Sequence, residues 1–574
     1  MSHQFSRRRL LGSLGGLLLA ACRSHQSSPP PAPSPEASPT PAAGRRRSAQ
    51  ARRGPAGPSR ELPIWIEPGL PASFASWAEA FTVSLAEALP PGWHSVRVDP
   101  PEQAGVRVRR ARGSPGALTL AERTFVPVAS HWNLVRGISS EALGGLLNGT
   151  ILDWQALGSP EPLPVELVSL RSGGLQLARA AHEASDPQSC AQFLLTRPGG
   201  LAVVERAELE PAMRVLWLDG HDPLDLSADE LAGAGLAERL VVEGSDALQD
   251  IIQEVAAQLP QQVLELTFTI AVAGDIILGR TVHRIMERSG DWAAPFRSVA
   301  PLLAGADLTV ADLECALTSS FAPPDDPFTM RFMTLPQAVE GLLLAGIDAV
   351  SLANNHSMDF GAQGMRDTLA TLQAHGIAHC GIGETLAEAR RPALLDVAGT
   401  TIALLGYDGI SAAWYGAGED WPGTAPLDPE LIAADVVAAA GLADVVIPFF
   451  HWGIEYTLLP TEEQRQIARA AIDAGATLVL GSHPHWLQGF EFYRGKPIFY
   501  SLGNFVFDQE WSPETKQGVI LRLRFSGARL LTFSLEPVMI EDYHRPRPAD
   551  DLERVVMLQR IRSSSLELLA SADG

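Results

Sequence analysis

Cysteine is scarce: the 574 residues hold four, Cys22, Cys190, Cys315 and Cys380, with no CxxC pair among them. That excludes a zinc knuckle and a disulfide framework. Positive charge is short as well, with 44 Lys and Arg against 66 Asp and Glu, for a formal net charge of −22. The shortage is uneven, because residues 1–60 carry ten Arg and a single acid, Glu36, or +9, which leaves −31 on the remainder. A folded part this acidic argues against nucleic acid as a partner and favours cations and cationic groups. Long apolar runs are missing too, and the apolar segment after Arg9 is too short to span a bilayer as a stable helix. What remains is an ordinary globular composition, 46% hydrophobic and 19% charged, on a length that calls for two or three domains.

The N-terminus reads Ser6-Arg7-Arg8-Arg9-Leu10-Leu11, then a Gly/Leu/Ala segment, then Leu19-Ala20-Ala21-Cys22. This resembles a bacterial lipoprotein signal ending in a lipobox, and its paired arginines resemble a twin-arginine export signal. The resemblance implies a signal over residues 1–22, lipidation at Cys22 and an extracytoplasmic, membrane-anchored protein. A plain secretory signal is the alternative. Residues 23–60 are Pro, Ala, Ser and Arg with scarcely an apolar side chain, so they cannot bury enough surface to offset chain entropy. They read as a disordered tether whose arginines suit anionic headgroups.

The first folded region is expected over residues 61–240. Its middle runs Phe125-Val-Pro-Val-Ala-Ser, then Gly137-Ile-Ser-Ser-Glu-Ala-Leu to Asn148-Gly149-Thr150-Ile-Leu-Asp153-Trp154, then Leu170-Arg171-Ser172-Gly173-Gly174. Gly199-Gly-Leu-Ala-Val-Val and Leu216-Trp-Leu-Asp219-Gly220 follow. The succession resembles the phosphate-type periplasmic binding proteins. It implies a smaller α/β domain in which a helix opening at Arg171, Ser172 and Gly173 offers free backbone N–H groups to an oxyanion. A bare helix cap at Ser172 is the alternative. Residues 241–265, rich in Glu, Gln and Ala, read as a linker helix.

From Thr267 onward one grammar repeats: a short apolar run stops at a polar or metal-competent residue. The stops are Asp275, Asp312-Leu-Glu314, Asn354-Asn355-His356, Tyr407-Asp408, His451-Trp452, His483-Pro-His485 and Asn504. Val/Ile-rich runs of this length, separated by helical patterns, predict buried strands of an α/β layered domain. In such sheets the polar residues at strand ends share the rim where ligands sit.

Six stretches carry a closer resemblance: Ala273-Gly274-Asp275, Asp312-Leu313-Glu314, Ala353-Asn354-Asn355-His356-Ser-Met-Asp359, His451-Trp452-Gly453-Ile-Glu455-Tyr456, Gly481-Ser482-His483-Pro484-His485 and Tyr500-Ser-Leu-Gly-Asn504-Phe-Val-Phe-Asp508. In this order they resemble the CapA family, the poly-γ-glutamate capsule synthesis proteins, relatives of the calcineurin-like metallophosphoesterases. The resemblance implies a four-layered α/β sandwich over residues 266–545, with a C-terminal helix or tail over 546–574. Hydrolases of that kind hold two divalent ions that activate a water and absorb charge on the substrate oxygens. By motif position, Asp275 and Glu314 are the implied acidic ligands, Asn355 the amide ligand, and His451, His483 and His485 the imidazoles. Such a mixed set suits Mn, Fe or Zn. His356 matches the histidine that gives a proton to the leaving group, and Asp359 would orient it.

The sequence departs from the phosphoesterase pattern at Ile277, where a histidine is expected two residues after the first Asp. One ion therefore lacks a ligand. Asp312 competes with Glu314 as the carboxylate ligand, and core packing is an alternative role for His451. Arg280 faces either an anionic substrate or solvent. Two functions follow. The first is a metal-dependent hydrolase or transferase acting on a phosphoester or on the γ-glutamyl amide of a capsule polymer. The second is a non-catalytic component of a capsule synthesis and export assembly that binds the polymer's carboxylates through cations.

Overall fold

The computed structural model describes residues 60–68, 70–90, 93–111, 118–171, 175, 177, 179–259, 266–326 and 328–570. The chain divides into Met1–Pro58 and Ser59–Gly574, and every described residue lies in the second unit. The readings at Cys22, along the 23–60 tether up to residue 59, and at Ser172 and Gly173 fall outside the described residues, while Arg60 already opens strand Arg60–Ile66. Among the described residues no helix is long and apolar enough to cross a membrane.

The architecture is α/β throughout. The first region is built on a nine-stranded sheet whose main path runs Trp93–Arg97, Arg60–Ile66, Val106–Ala111, Ala237–Gly244, Leu118–Ala129, Gly200–Glu205, Glu166–Leu170 and His182–Ala184. This corrects the linker expected over 241–265. Leu240, Val241 and Val242 are buried in strand Ala237–Gly244, which pairs antiparallel with Val106–Ala111 on one side and Leu118–Ala129 on the other. Helix Gln249–Gln258 then buries Ile252 and Val255 in the same core as Phe74 and Phe81 of helix Ala72–Ala88. Its apolar spacing matches a packed helix, and the polar face that suggested a linker is merely its solvent side.

Arg171 follows strand Glu166–Leu170 directly, and the helix opening expected from it through Ser172 and Gly173 falls on residues outside the described ones. The next helix among the described residues is Pro187–Thr196.

The second region has two stacked sheets. One runs Ala378–Cys380, Ala349–Ser351, Leu308–Leu313, Thr267–Ile276, Gln517–Ser526, Arg529–Glu541 and Arg545–Pro548, with Asn504–Val506 beside Thr267–Ile276. The other runs Ala393–Val397, Thr400–Asp408, Val445–His451 and Leu480–Ser482. Ile270, Val272, Leu308 and Val310 of the first sheet meet Leu404, Ile447 and Phe449 of the second in a shared core. Helices Arg280–Ser289, Val339–Ala345 and Gly361–Ala374 cover the outer face of the first sheet, and helices Pro429–Ala440 and Glu462–Ala474 cover that of the second. Four layers result, because sheets buried on both faces need helices outside them.

The first region docks on the second through side chains of both. Trp132 stacks on Phe490 at 5.0 Å between ring centroids, and within the first region its Nε1 donates to the carbonyl of Leu195 at 2.7 Å. His131 stacks on Phe533 at 4.1 Å. Thr532 donates from its hydroxyl to the carbonyl of Met213 at 2.7 Å, and Arg554 from its guanidinium to that of Leu134 at 2.8 Å.

Candidate metal centre

The strands that carry the site run parallel, so their C-terminal ends open on one rim. In one sheet Asp275, Asp312 and Ser351 stand side by side in register, and in the other Asp408, His451 and Ser482 do. Within the first sheet the strand of Asp275 and the segment leading to Asn504 approach closely. A Cβ on Gly274 would come within 2.0 Å of the Gly503 carbonyl oxygen, which accepts from the Asp275 N–H at 3.1 Å. Only glycine allows that approach.

On this rim one donor atom from each of Asp275, Asp312, Glu314 and His451 lies within 4.8 Å of the others, and Glu455, His483 and His485 form a second such group. Asp275 accepts from Nδ1 of His485 at 3.0 Å and from the N–H of His483 at 3.4 Å. Nδ1 of His485 also lies 2.9 Å from Oδ1 of Asn504. Asp312 lies 2.7 Å from Nδ1 of His451, and it accepts from the Ser482 hydroxyl at 2.6 Å and from the Asn354 amide at 2.9 Å. Nε2 of His451 lies 2.7 Å from Oδ1 of Asn355 and 3.1 Å from Nδ1 of His483.

Glu314 stands apart. It is 1% exposed, and neither carboxylate oxygen has a hydrogen-bond partner. A buried carboxylate without partners is costly unless a cation meets it. Burial, then the charges of Asp275 and Asp312, hold its carboxyl well above the usual range. The residue does not cap a helix, since it follows strand Leu308–Leu313 directly. The histidines respond in opposite directions. Burial opposes a charge on His451, but Asp312 and Asp275 outweigh it and raise its pKa. Burial, reinforced by His451 and His485, pushes His483 well below the ordinary value. Crowded carboxylates with an orphan among them, beside imidazoles of which His483 is held neutral, fit a divalent cation. Strain points the same way: four of the nine non-glycine residues described with positive φ border the rim, namely Arg280, Tyr456, His483 and His485.

His356 and Asp359 pair beside this cluster. Nδ1 of His356 lies 2.9 Å from Asp359, which also accepts from the Phe332 N–H at 2.7 Å. Nε2 of His356 lies 3.0 Å from the Asn355 amide nitrogen, and the ring stacks on Phe332 at 3.8 Å. Burial, against the pull of Asp359, lowers its pKa.

All eight rim residues expected from the sequence, Asp275, Glu314, Asn355, His356, Asp359, His451, His483 and His485, are thus brought together. The rest differ. Arg280 borders the rim but is not a surface group: it pairs with Asp508, its guanidinium lies 4.5 Å from the Phe332 ring, and its Nε has no hydrogen-bond partner. Arg171 pairs with Glu183 on the surface, and the nearby cavity of about 330 Å³ is lined by Arg179, His182 and Arg197 instead. Ile277 is fully buried in the outer core. Sequence reasoning passed over Asn354, Ser482, Glu455 and Asn504, although each belongs to a motif or strand end that it singled out.

Residues 269–509 match the family described as Bacterial capsule synthesis protein PGA_cap. The PGA biosynthesis protein CapA of Bacillus subtilis is 34% identical over 297 residues, which are 51% of this chain and 77% of that protein. Among solved structures, an ABC-type phosphate transport receptor from Vibrio cholerae is similar over 34% of this chain and 94% of its own, at 12% identity and a TM-score of 0.27. A 5′-nucleotidase precursor from Thermus thermophilus is similar over 53% of this chain and 59% of its own, at 12% identity and a TM-score of 0.32. With its six motifs gathered on one rim and a relative matched over most of its length, the chain belongs to the PGA_cap family of bacterial capsule synthesis proteins.

Proposed function

We propose that this protein is a metal-dependent hydrolase or transferase of capsule or poly-γ-glutamate synthesis and export, working at the strand-end rim. The observation that carries the reading is the Glu314 carboxylate, buried without a partner among Asp275, Asp312 and His451. Asp275, Glu314, Asn355, His451, His483 and His485 would hold a divalent ion of the Mn, Fe or Zn kind, with Asp312 beside them. When bound, such an ion polarises substrate oxygens and lowers the pKa of water.

The chain's own residues do the rest. Asp359 fixes Nδ1 of His356, so Nε2 is the atom placed to carry a proton to or from a leaving group. Phe332 holds the ring by stacking on one face. Asn354 and Ser482 keep the Asp312 carboxylate in place from two sides. Incubation of the metal-loaded protein with γ-linked glutamate oligomers and with a phosphoester tests the reading by release of shortened chains or of phosphate.

A second reading is supported by Ile277, which puts a core side chain where a further ligand would stand. In it the ion-loaded rim binds polymer carboxylates without cleaving them. Retained oligomer binding with no product supports this reading over the enzyme.

The Leu19-Ala20-Ala21-Cys22 sequence supports an extracytoplasmic protein anchored through lipid on Cys22. Cys22→Ser should then move the protein from the membrane to the soluble fraction, and unchanged membrane association contradicts the anchor.

A further inference from the structure

Away from the rim, the two regions of the described chain enclose a cleft of about 390 Å³, and a smaller cavity of about 50 Å³ adjoins it, sharing walls at Arg136, Trp217 and Glu536. A volume of this size suits a small ligand or one segment of a chain. In a protein of net charge −22, five of the lining residues are arginines, Arg136, Arg214, Arg522, Arg524 and Arg554, against three acids, Asp222, Asp225 and Glu536. Arg524 is taken by Asp225. Glu536, bonded to Arg136 at 3.1 Å, is left as the main countercharge for the other arginines.

Backbone carbonyls position these guanidinium groups without neutralising them. Arg522 donates to Leu302 at 2.9 Å, Arg554 to Leu134 at 2.8 Å, and Arg214 to Asn133 and Val135 at 3.0 and 2.8 Å. Two donors in the walls have no partner: the amide nitrogen of Asn133, a residue only 2% exposed, and Nε of Arg524. Burial, with Arg554 alongside, pushes Arg214 down to about 9, and burial raises Asp222. Surplus guanidinium groups, unused donors and open volume in one place are the ingredients of an oxyanion site.

We propose that this interdomain cleft is a second ligand site, separate from the rim, that takes the carboxylates of an acidic chain. The choice of a carboxylate chain rests on the polymer reading above, whereas the anion site itself does not. Arginine forks recognise carboxylate and phosphate alike, so the test compares the two.

The full-length protein, stripped of metal so that the rim holds no cation, is titrated calorimetrically with γ-linked triglutamate and with inorganic phosphate at matched ionic strength. Triglutamate is expected to bind more tightly than phosphate, and more weakly as salt rises. Arg136→Glu, a change at a half-exposed side chain, should weaken binding by about tenfold or more. Glu536→Gln, which removes the resident competitor for the arginines, should tighten it. Unfolding midpoints without ligand report whether either variant has lost its fold. A purely structural ion pair gives no opposite-signed response, and unchanged affinity in both variants would overturn the site. Phosphate bound as well as triglutamate overturns the carboxylate chain. Binding lost in Asp275→Ala but kept in Arg136→Glu overturns the cleft and leaves the rim reading standing. Binding lost in Arg136→Glu alone supports the cleft even where the rim fails to load metal.

Discussion

The rim and the interdomain cleft solve opposite electrostatic problems. At the rim, Asp275, Asp312 and Glu314 crowd within reach of one another, and one carboxylate is left with no partner. In the cleft, arginines from both regions crowd around Glu536. Like charges gathered in poorly hydrated places oppose folding unless something of the other sign joins them. The difference teaches that each place is suited to a partner of opposite charge, which is why a cation is proposed for one and an anion for the other. A structural ion-pair network would have balanced itself. The Arg390–Asp435 pair does so, one charge against one at 2.7 Å.

The comparison breaks most visibly at His356. If it carries a proton without holding the ion, His356→Ala keeps its metal while turnover on γ-glutamyl or phosphoester substrate falls by roughly 10²–10⁴-fold. Metal content and rate measured on one sample decide this, and loss of the metal would make His356 a ligand. On the cleft side, Trp132→Ala should destabilise the protein by about 3–5 kcal/mol in chemical denaturation, through the stacking on Phe490 and the bond to Leu195. A change of a few tenths would mean that the two regions are not held together there.

Smaller effects sharpen the contrast. Ser482→Ala frees one side of Asp312 and should weaken metal affinity by about 10–100-fold, as the loss of a group that orients a ligand does. The same change should leave triglutamate binding in the cleft unaltered. The response to acid is spread over several pH units. His131, which lines the smaller cavity beside the cleft and stacks on Phe533, is pushed by burial down to about 3. A histidine unfolds into a pKa of about 6.5, so the unfolded chain binds the extra proton between those values. Stability from this group is complete above pH ~6.5 and falls by up to about 1.4 kcal/mol per pH unit below it, levelling near pH 3. His131→Phe should flatten that part of the pH profile, and an unchanged profile would contradict the assignment.

Much of the rim was legible because its residues close strands. An apolar run that ends at Asp275, Asp312 or His451 places those side chains on one edge once the strands are known to be parallel. The partners of the site were harder to read. Asn354 and Ser482 look like the neighbours of better candidates, and only the distances of 2.9 and 2.6 Å to Asp312 show that they hold it. Arg280 could not be placed from sequence, since its partner Asp508 lies more than two hundred positions away. In the first region the reading failed where pattern is ambiguous. Leu240-Val-Val fits the end of one domain or a strand in the middle of its sheet, and strand order decides between them. For Arg171 the structure shows only its partner, Glu183 at 2.8 Å, a pairing that the sequence does not announce.

The central claim, that the rim is built for a divalent cation, is tested most directly by unfolding wild type and Glu314→Gln with and without Mn²⁺ or Zn²⁺. Burial raises the folded pKa of Glu314, so in the metal-free protein this carboxylate lowers stability as pH rises. Metal-free Glu314→Gln should therefore be more stable than metal-free wild type near pH 8. Added metal should raise the wild-type midpoint in a concentration-dependent way and raise the variant's far less. A wild type that neither carries nor gains metal, or a Glu314→Gln variant that loads it equally well, would contradict the account.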